Sequence, residues 1–107
     1  MEYLEIVHLR SYSLYDRDEA IKAFHQLTFP DSEKGIQEII LLRDIVLEND
    51  LSIFIQWNGK IPGKMKSPVG LQLAETFSEF GYIDHSMLAA EGRVPSTVRR
   101  NNHEEQN

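Results

Sequence analysis

The sequence predicts an α+β fold with its elements in the order β-α-β-β-α-β, on three observations. Four short segments are rich in β-branched and aromatic residues, the composition of half-buried strands. Two longer segments carry apolar residues at helical spacing behind residues that cap helix starts. The chain has 107 residues, 41% of them hydrophobic, enough for one packed core but too short for two.

Residues 2–10, Glu-Tyr-Leu-Glu-Ile-Val-His-Leu-Arg, form the first expected strand, and Ser11 to Ser13 break it. Asp16 with Glu19 three residues later resembles a capping arrangement, and acidic residues in a first turn complement the helix dipole. Ala20, Ile21, Phe24 and Leu27 then mark an amphipathic helix over about 14–28, stopped by Pro30. Ile36–Leu47 and Leu51–Trp57 are the arms of a hairpin, with Glu48-Asn49-Asp50 as its turn. The unequal arms predict a bulge around Asp44. A loop from Asn58 to Lys66 follows, and Ser67-Pro68 opens the second helix with a hydroxyl at the N-cap and proline at N1. Val69, Leu73, Phe77 and Phe80 make its apolar stripe, and Gly81 is expected as the left-handed residue beyond its end. Tyr82 to Ala90 forms the last strand. Residues 93–107 are polar and are expected to be a disordered tail, leaving 1–92 as the domain. This order gives the ferredoxin-like arrangement, a four-stranded antiparallel sheet with two helices on one face.

The formal charge of −6 repels a phosphate backbone, so no nucleic-acid partner is expected. No apolar run reaches the roughly 20 residues that span a bilayer, so no membrane partner is expected either. The acidic start, Met1-Glu2-Tyr3-Leu4-Glu5, lacks the basic region of a secretory signal, which gives the cytoplasm as the default compartment. The absence of cysteine excludes a disulfide framework, a thiol nucleophile and thiolate metal ligands.

Two helices cover one sheet face, yet the strands are apolar on both. Leu4 and Ile6 oppose Tyr3, Val7 and Leu9; Ile36, Ile40 and Leu42 oppose Ile39 and Leu41; Leu51, Ile53, Ile55 and Trp57 oppose Phe54. A patch of that size is rarely left open on a monomer, so a second copy is the expected cover, giving a homodimer through the sheet face.

With its element order, its two-sided apolar strands and a strand ending in Trp57 ahead of the Ser67-Pro68 helix start, the chain resembles the dimeric α+β barrel proteins over about residues 2–91. The antibiotic-biosynthesis-monooxygenase-like families are the nearest. That resemblance implies a pocket between sheet and helices or inside the barrel. The functions found among such proteins are cofactor-independent oxygenation, haem degradation and isomerisation. Those families often carry a glutamate two residues before the strand-ending tryptophan, where this chain has Ile55. Ser67-Pro68-Val69-Gly70-Leu71 and Phe80-Gly81-Tyr82-Ile83-Asp84-His85-Ser86 look like the signature of a narrower family, to which no activity attaches.

His8 and His85 are the candidate catalytic residues. Their strands are antiparallel neighbours, so the imidazoles are expected to approach each other on an apolar side, as a base or as ligands for a metal or haem. The plainer reading makes each a hydrogen-bonded histidine at the core edge. A metal site needs a third ligand, and no carboxylate clearly shares their face, so neither metal nor cofactor is expected. Glu5 is the lone charge beside Tyr3, Val7 and Leu9. It marks a polar spot in the dimer interface or sits in a cavity, and the interface is favoured. Asp84 points away from His85 by strand alternation. Trp57 is either a packing anchor or the wall of a ligand pocket. Lys66 and Ser67, with Lys60 and Lys64, precede a helix N-terminus that could bind a small anion, or they form a solvated loop. His25 is expected to be partly exposed, and His103 carries no role. No phosphate-binding, zinc-protease or nucleophile-elbow motif is present.

These readings make a small dimeric α+β barrel protein, acting as a cofactor-independent monooxygenase or isomerase on a small organic molecule. A non-catalytic ligand-sensing or interaction module is the alternative.

Overall fold

The computed structural model describes residues 3–29, 35–58 and 66–95. Pro30, Lys60, Lys64, His103 and the tail from residue 96 lie outside them. The elements are β1 (Tyr3–Ser11), α1 (Leu14–Gln26), β2 (Ile36–Arg43), β3 (Asp50–Trp57), α2 (Pro68–Phe77) and β4 (Gly81–Ala89). The strands form one antiparallel sheet in the order β2-β3-β1-β4, the ferredoxin-like topology. Among the described residues no helix is long and apolar enough to cross a membrane.

Strand alternation divides the sheet. Glu5, Val7, Leu9 and Ser11 of β1 and Leu51, Ile53, Ile55 and Trp57 of β3 are buried on one face. There they meet Ala20 of α1 and Val69, Leu73 and Phe77 of α2 in a single core. Leu4 and Ile6, with Ile40 and Phe54, lie half-buried on the open face beside the exposed Leu42 and Leu88. The strands are thus apolar on both sides, as expected.

Local chemistry accounts for the departures at element ends. The cap of α1 is Ser13, whose hydroxyl oxygen accepts from the Asp16 N–H, so the acidic partner three residues on is Asp16 rather than Glu19. The helix ends at Gln26, before Pro30 is reached. At the hairpin, β2 stops at Arg43. Asp44 Oδ1 accepts from the N–H groups of Val46 and Leu47 at 2.8 Å each and turns the chain out of the sheet. Ile45 and Val46 stand exposed in that turn. The irregularity in β2 lies at its other end, between Ile36 and Glu38. It rotates Ile36 onto the core side with Ile39 and Leu41, away from Ile40 and Leu42.

The start of α2 follows the sequence reading. Ser67 is the N-cap, accepting from the Gly70 N–H, and Pro68 opens the helix. Gly81, expected to be left-handed, is not; among the described glycines only Gly35 has positive φ, at 100°. Gly81 is required because β1 passes so close that a Cβ there would overlap the Arg10 carbonyl and the Ser11 backbone.

Candidate functional site

The two candidate histidines do not converge. Val7 and His85 are direct cross-strand partners, and His8 is opposite Asp84, so the two imidazoles project from opposite faces of the sheet. His85 is on the helix side and His8 on the open side. Each has instead found a carboxylate.

On the helix side, Glu5 is wholly buried on central strand β1, and the His85 side chain is 5% exposed. His85 Nε2 lies 2.6 Å from Glu5 Oε2. The Ser67 N–H donates to the same oxygen at 3.2 Å. The other oxygen, Oε1, accepts from the Ser67 hydroxyl at 2.6 Å and the Trp57 indole N–H at 3.2 Å. A carboxylate only accepts, so the ring hydrogen shared with Glu5 belongs on Nε2 of His85. Among the described residues His85 Nδ1 has no hydrogen-bond partner, and since no buried side-chain nitrogen or oxygen there is left unpaired, this nitrogen keeps some contact with solvent.

The energetics explain how a carboxylate tolerates this place. Burying it costs several kcal/mol. Four donors at about 1.5–3 kcal/mol each offset that cost, and α2 adds the positive end of its dipole. Gly70 completes the site by lacking a side chain: a Cβ there would overlap the Glu5 carboxylate and lie 2.8 Å from His85 Nε2. Position 55, where the resemblance would place glutamate, is Ile55, and its direct cross-strand partner is Glu5. The acid that meets Trp57 thus comes from the neighbouring strand.

The cluster reassigns three sequence candidates. Glu5, favoured as an interface charge, is inside the helix-covered core. Trp57 is 1% exposed with its N–H committed to Glu5, so it packs rather than forming a pocket wall. Ser67 uses both its N–H and its hydroxyl on Glu5, which leaves the α2 N-terminus occupied by the chain's own anion. Lys66 beside it is exposed and touches none of these groups. Glu5 was detectable as the single acid in the apolar alternation of a central strand; its partners, 52 to 80 residues away in the chain, were not.

On the open face, Asp50 is buried and gathers a guanidinium and an imidazole. Arg10 donates from Nε and Nη2 at 3.1 Å each, and His8 Nε2 is 3.0 Å from Oδ2. His8, Arg10, Tyr82, Ile83 and Asp84 line a shallow groove of about 430 Å³ beside it. Hydrogen bonds from the Arg10 guanidinium, together with its charge, hold the Asp50 carboxyl below the usual carboxylate range. A lowered folded-state value means that Asp50 stabilises the fold above its unfolded pKa, about 3.9, and that this contribution fades as pH falls through the lower folded value. The Asp50→Asn variant is therefore expected to show a shallower loss of Tm between about pH 4 and pH 2 than the parent chain. Parallel acid limbs would contradict that. His25 is exposed on α1, with its ring 5.7 Å from Phe24. Among the described residues no three His, Asp or Glu side chains converge as metal ligands.

No family model and no curated protein sequence matches this chain. Solved structures do. SnoaB, a cofactor-independent oxygenase from Streptomyces nogalater, is 14% identical with a TM-score of 0.54, covering 88% of this chain and 97% of its own. A dimeric ferredoxin-like protein from an uncultured marine organism is 13% identical at TM-score 0.55, covering 88% and 93%. A protein provisionally named an antibiotic biosynthesis monooxygenase, from Bordetella bronchiseptica, is 13% identical at TM-score 0.56, covering 88% and 98%. At these identities the likeness is one of fold, and it is the fold of the antibiotic-biosynthesis-monooxygenase-like proteins that the sequence resembles.

Proposed function

We propose that this chain is a cytoplasmic homodimer that acts as an acid–base catalyst on a small neutral organic molecule, as a cofactor-independent monooxygenase. The observation that carries this reading is the Glu5–His85 pair: a buried imidazole with one nitrogen held by a carboxylate and the other unpartnered. Such an imidazole takes a proton at Nδ1, and the adjacent carboxylate stabilises the imidazolium that results. With the α2 N-terminus already occupied by Glu5, the site favours a substrate that becomes anionic only there. A carbon acid deprotonated in this way delivers its electron pair to dioxygen. Conversion of a CH₂ group and O₂ to a carbonyl and water balances without an external reductant. Returned to another carbon, the same proton gives isomerisation. SnoaB, with the same fold, is described as a cofactor-independent oxygenase. No nucleic-acid or membrane partner enters this reading.

The second copy covers the open face, where Leu4, Ile6, Ile40, Phe54, Leu42 and Leu88 form an apolar strip. Light scattering is expected to give about twice the chain mass of 12.4 kDa. A stable monomer at micromolar concentration would remove the dimer from the proposal.

Proton abstraction is tested with acetylacetone and a panel of neutral phenols and diketones. Deuterium exchange is followed by NMR and oxygen uptake by electrode. The parent chain is expected to accelerate exchange of at least one compound, and His85→Gln to lose about 10²–10⁴-fold of that rate. His8→Gln should retain it. No acceleration on any compound, or equal rates in parent and His85→Gln, would overturn catalysis. The polar side-chain atoms of Glu5, Ser67 and Trp57 are all committed to one another or to α2, which favours a second reading, a non-catalytic ligand-sensing or interaction module. Saturable binding without exchange would support it.

A further inference from the structure

We propose that Glu5 is the positioning residue of the site, fixing the tautomer of His85, and that Ser67 and Trp57 position Glu5 in turn. The inference rests on the reading of His85 as the base, and it assigns the residues around that base.

A neutral imidazole carries one N–H, and which nitrogen bears it is decided by the better hydrogen-bond partner. Nε2 faces a carboxylate oxygen at 2.6 Å, while Nδ1 has no partner among the described residues and is open to solvent. The hydrogen therefore belongs on Nε2 and the lone pair on Nδ1. This holds only while Glu5 keeps its place. Its side chain has rotational freedom of its own, which the indole N–H of Trp57 and the N–H and hydroxyl of Ser67 remove from three directions.

Ser67 also accepts from the Gly70 N–H as the N-cap of α2, so forming the first turn of the helix and clamping Glu5 are one event. The base is set only when α2 is docked. None of the three residues has a polar side-chain atom left for a ligand. They act through His85.

The test is spectroscopic and needs no substrate. Long-range ¹H–¹⁵N spectra of labelled protein, at a pH where the rings are neutral, report the protonation of each imidazole nitrogen. The His85 signals are identified by their loss in His85→Gln. The parent chain is expected to show one tautomer, protonated at Nε2 and bare at Nδ1. Glu5→Gln and Ser67→Asp are expected to give a mixture of tautomers. The latter keeps a capping oxygen for Gly70 but has no hydroxyl to donate. Ser67→Thr retains both functions and is expected to restore the single tautomer.

Trp57 is the only tryptophan, so its single indole N–H signal reports Glu5 independently. That signal is expected to move upfield in Glu5→Gln. An Nδ1–H tautomer or a mixture in the parent chain would overturn the proposal without any variant having to fold. So would a single unchanged tautomer in folded Glu5→Gln. A fixed tautomer in a protein that exchanges no carbon acid would leave this inference standing and remove the catalytic reading. A mobile tautomer with His85-dependent exchange would do the reverse.

Discussion

Replacing Glu5 by alanine is expected to lower the stability of the fold by about 3–5 kcal/mol, the range for removing one partner from a buried charge cluster. Four hydrogens point at the carboxylate, from the Trp57 indole, the Ser67 backbone and hydroxyl, and His85. All four lose their acceptor at once, in a place where Glu5 has no exposed surface. Each stranded donor costs about 1–3 kcal/mol, but the Ser67 hydroxyl can rotate and His85 can move its hydrogen to Nδ1, so the sum is not reached. Against a typical total of about 5–15 kcal/mol, the loss is a large share. Urea unfolding with parallel slopes measures it directly. Glu5→Gln should fall between the two, because its amide presents two hydrogens toward donors that need an acceptor. A Glu5→Ala midpoint equal to that of the parent chain would mean that water replaces the carboxylate without loss.

How far the sequence disclosed this site depends on what each residue's signal was. Ser67-Pro68 announced a helix start because capping chemistry is local, and the structure places both as read. The strands were legible for the same reason, since alternation in β1 and β3 is written along the chain. The pairing of His8 with His85 failed on register. Strand neighbours were inferred correctly, but the side that each side chain faces changes with a one-residue shift, and His85 is opposite Val7 rather than His8. Glu5 is visible as an anomaly in an apolar alternation, which by itself reads as a charge in the dimer interface, whereas the structure buries it under α2. Only the docking of α2, 62 residues away at Ser67, decides that this face is the covered one. At Gly81 the sequence signals a glycine but not its cause: a close strand excludes a side chain there, and the backbone angle is an ordinary one.

Gly70→Ala tests whether the site or the helix governs the first turn of α2. In an ordinary helix the substitution stabilises, by up to about 1 kcal/mol, because glycine loses more backbone freedom on folding. Gly70 is buried, and its new methyl group would overlap the Glu5 carboxylate and stand 2.8 Å from His85 Nε2. Neither neighbour can yield easily, since Glu5 is held by four donors and His85 is bonded to it. Either the Glu5–His85 bond breaks or α2 shifts away from the sheet, withdrawing Ser67 from the carboxylate. Overpacking of this kind costs about 1–3 kcal/mol, and the lost hydrogen bonds add to it, so the expected sign is destabilising. Gly92→Ala is the matched control, because a Cβ there meets nothing within 4 Å, and it should leave the melting temperature nearly unchanged. A Gly70→Ala protein more stable than its parent would show that the helix start can move at little cost. The clamp on Glu5 would then be a consequence of packing rather than the reason that glycine occupies this turn.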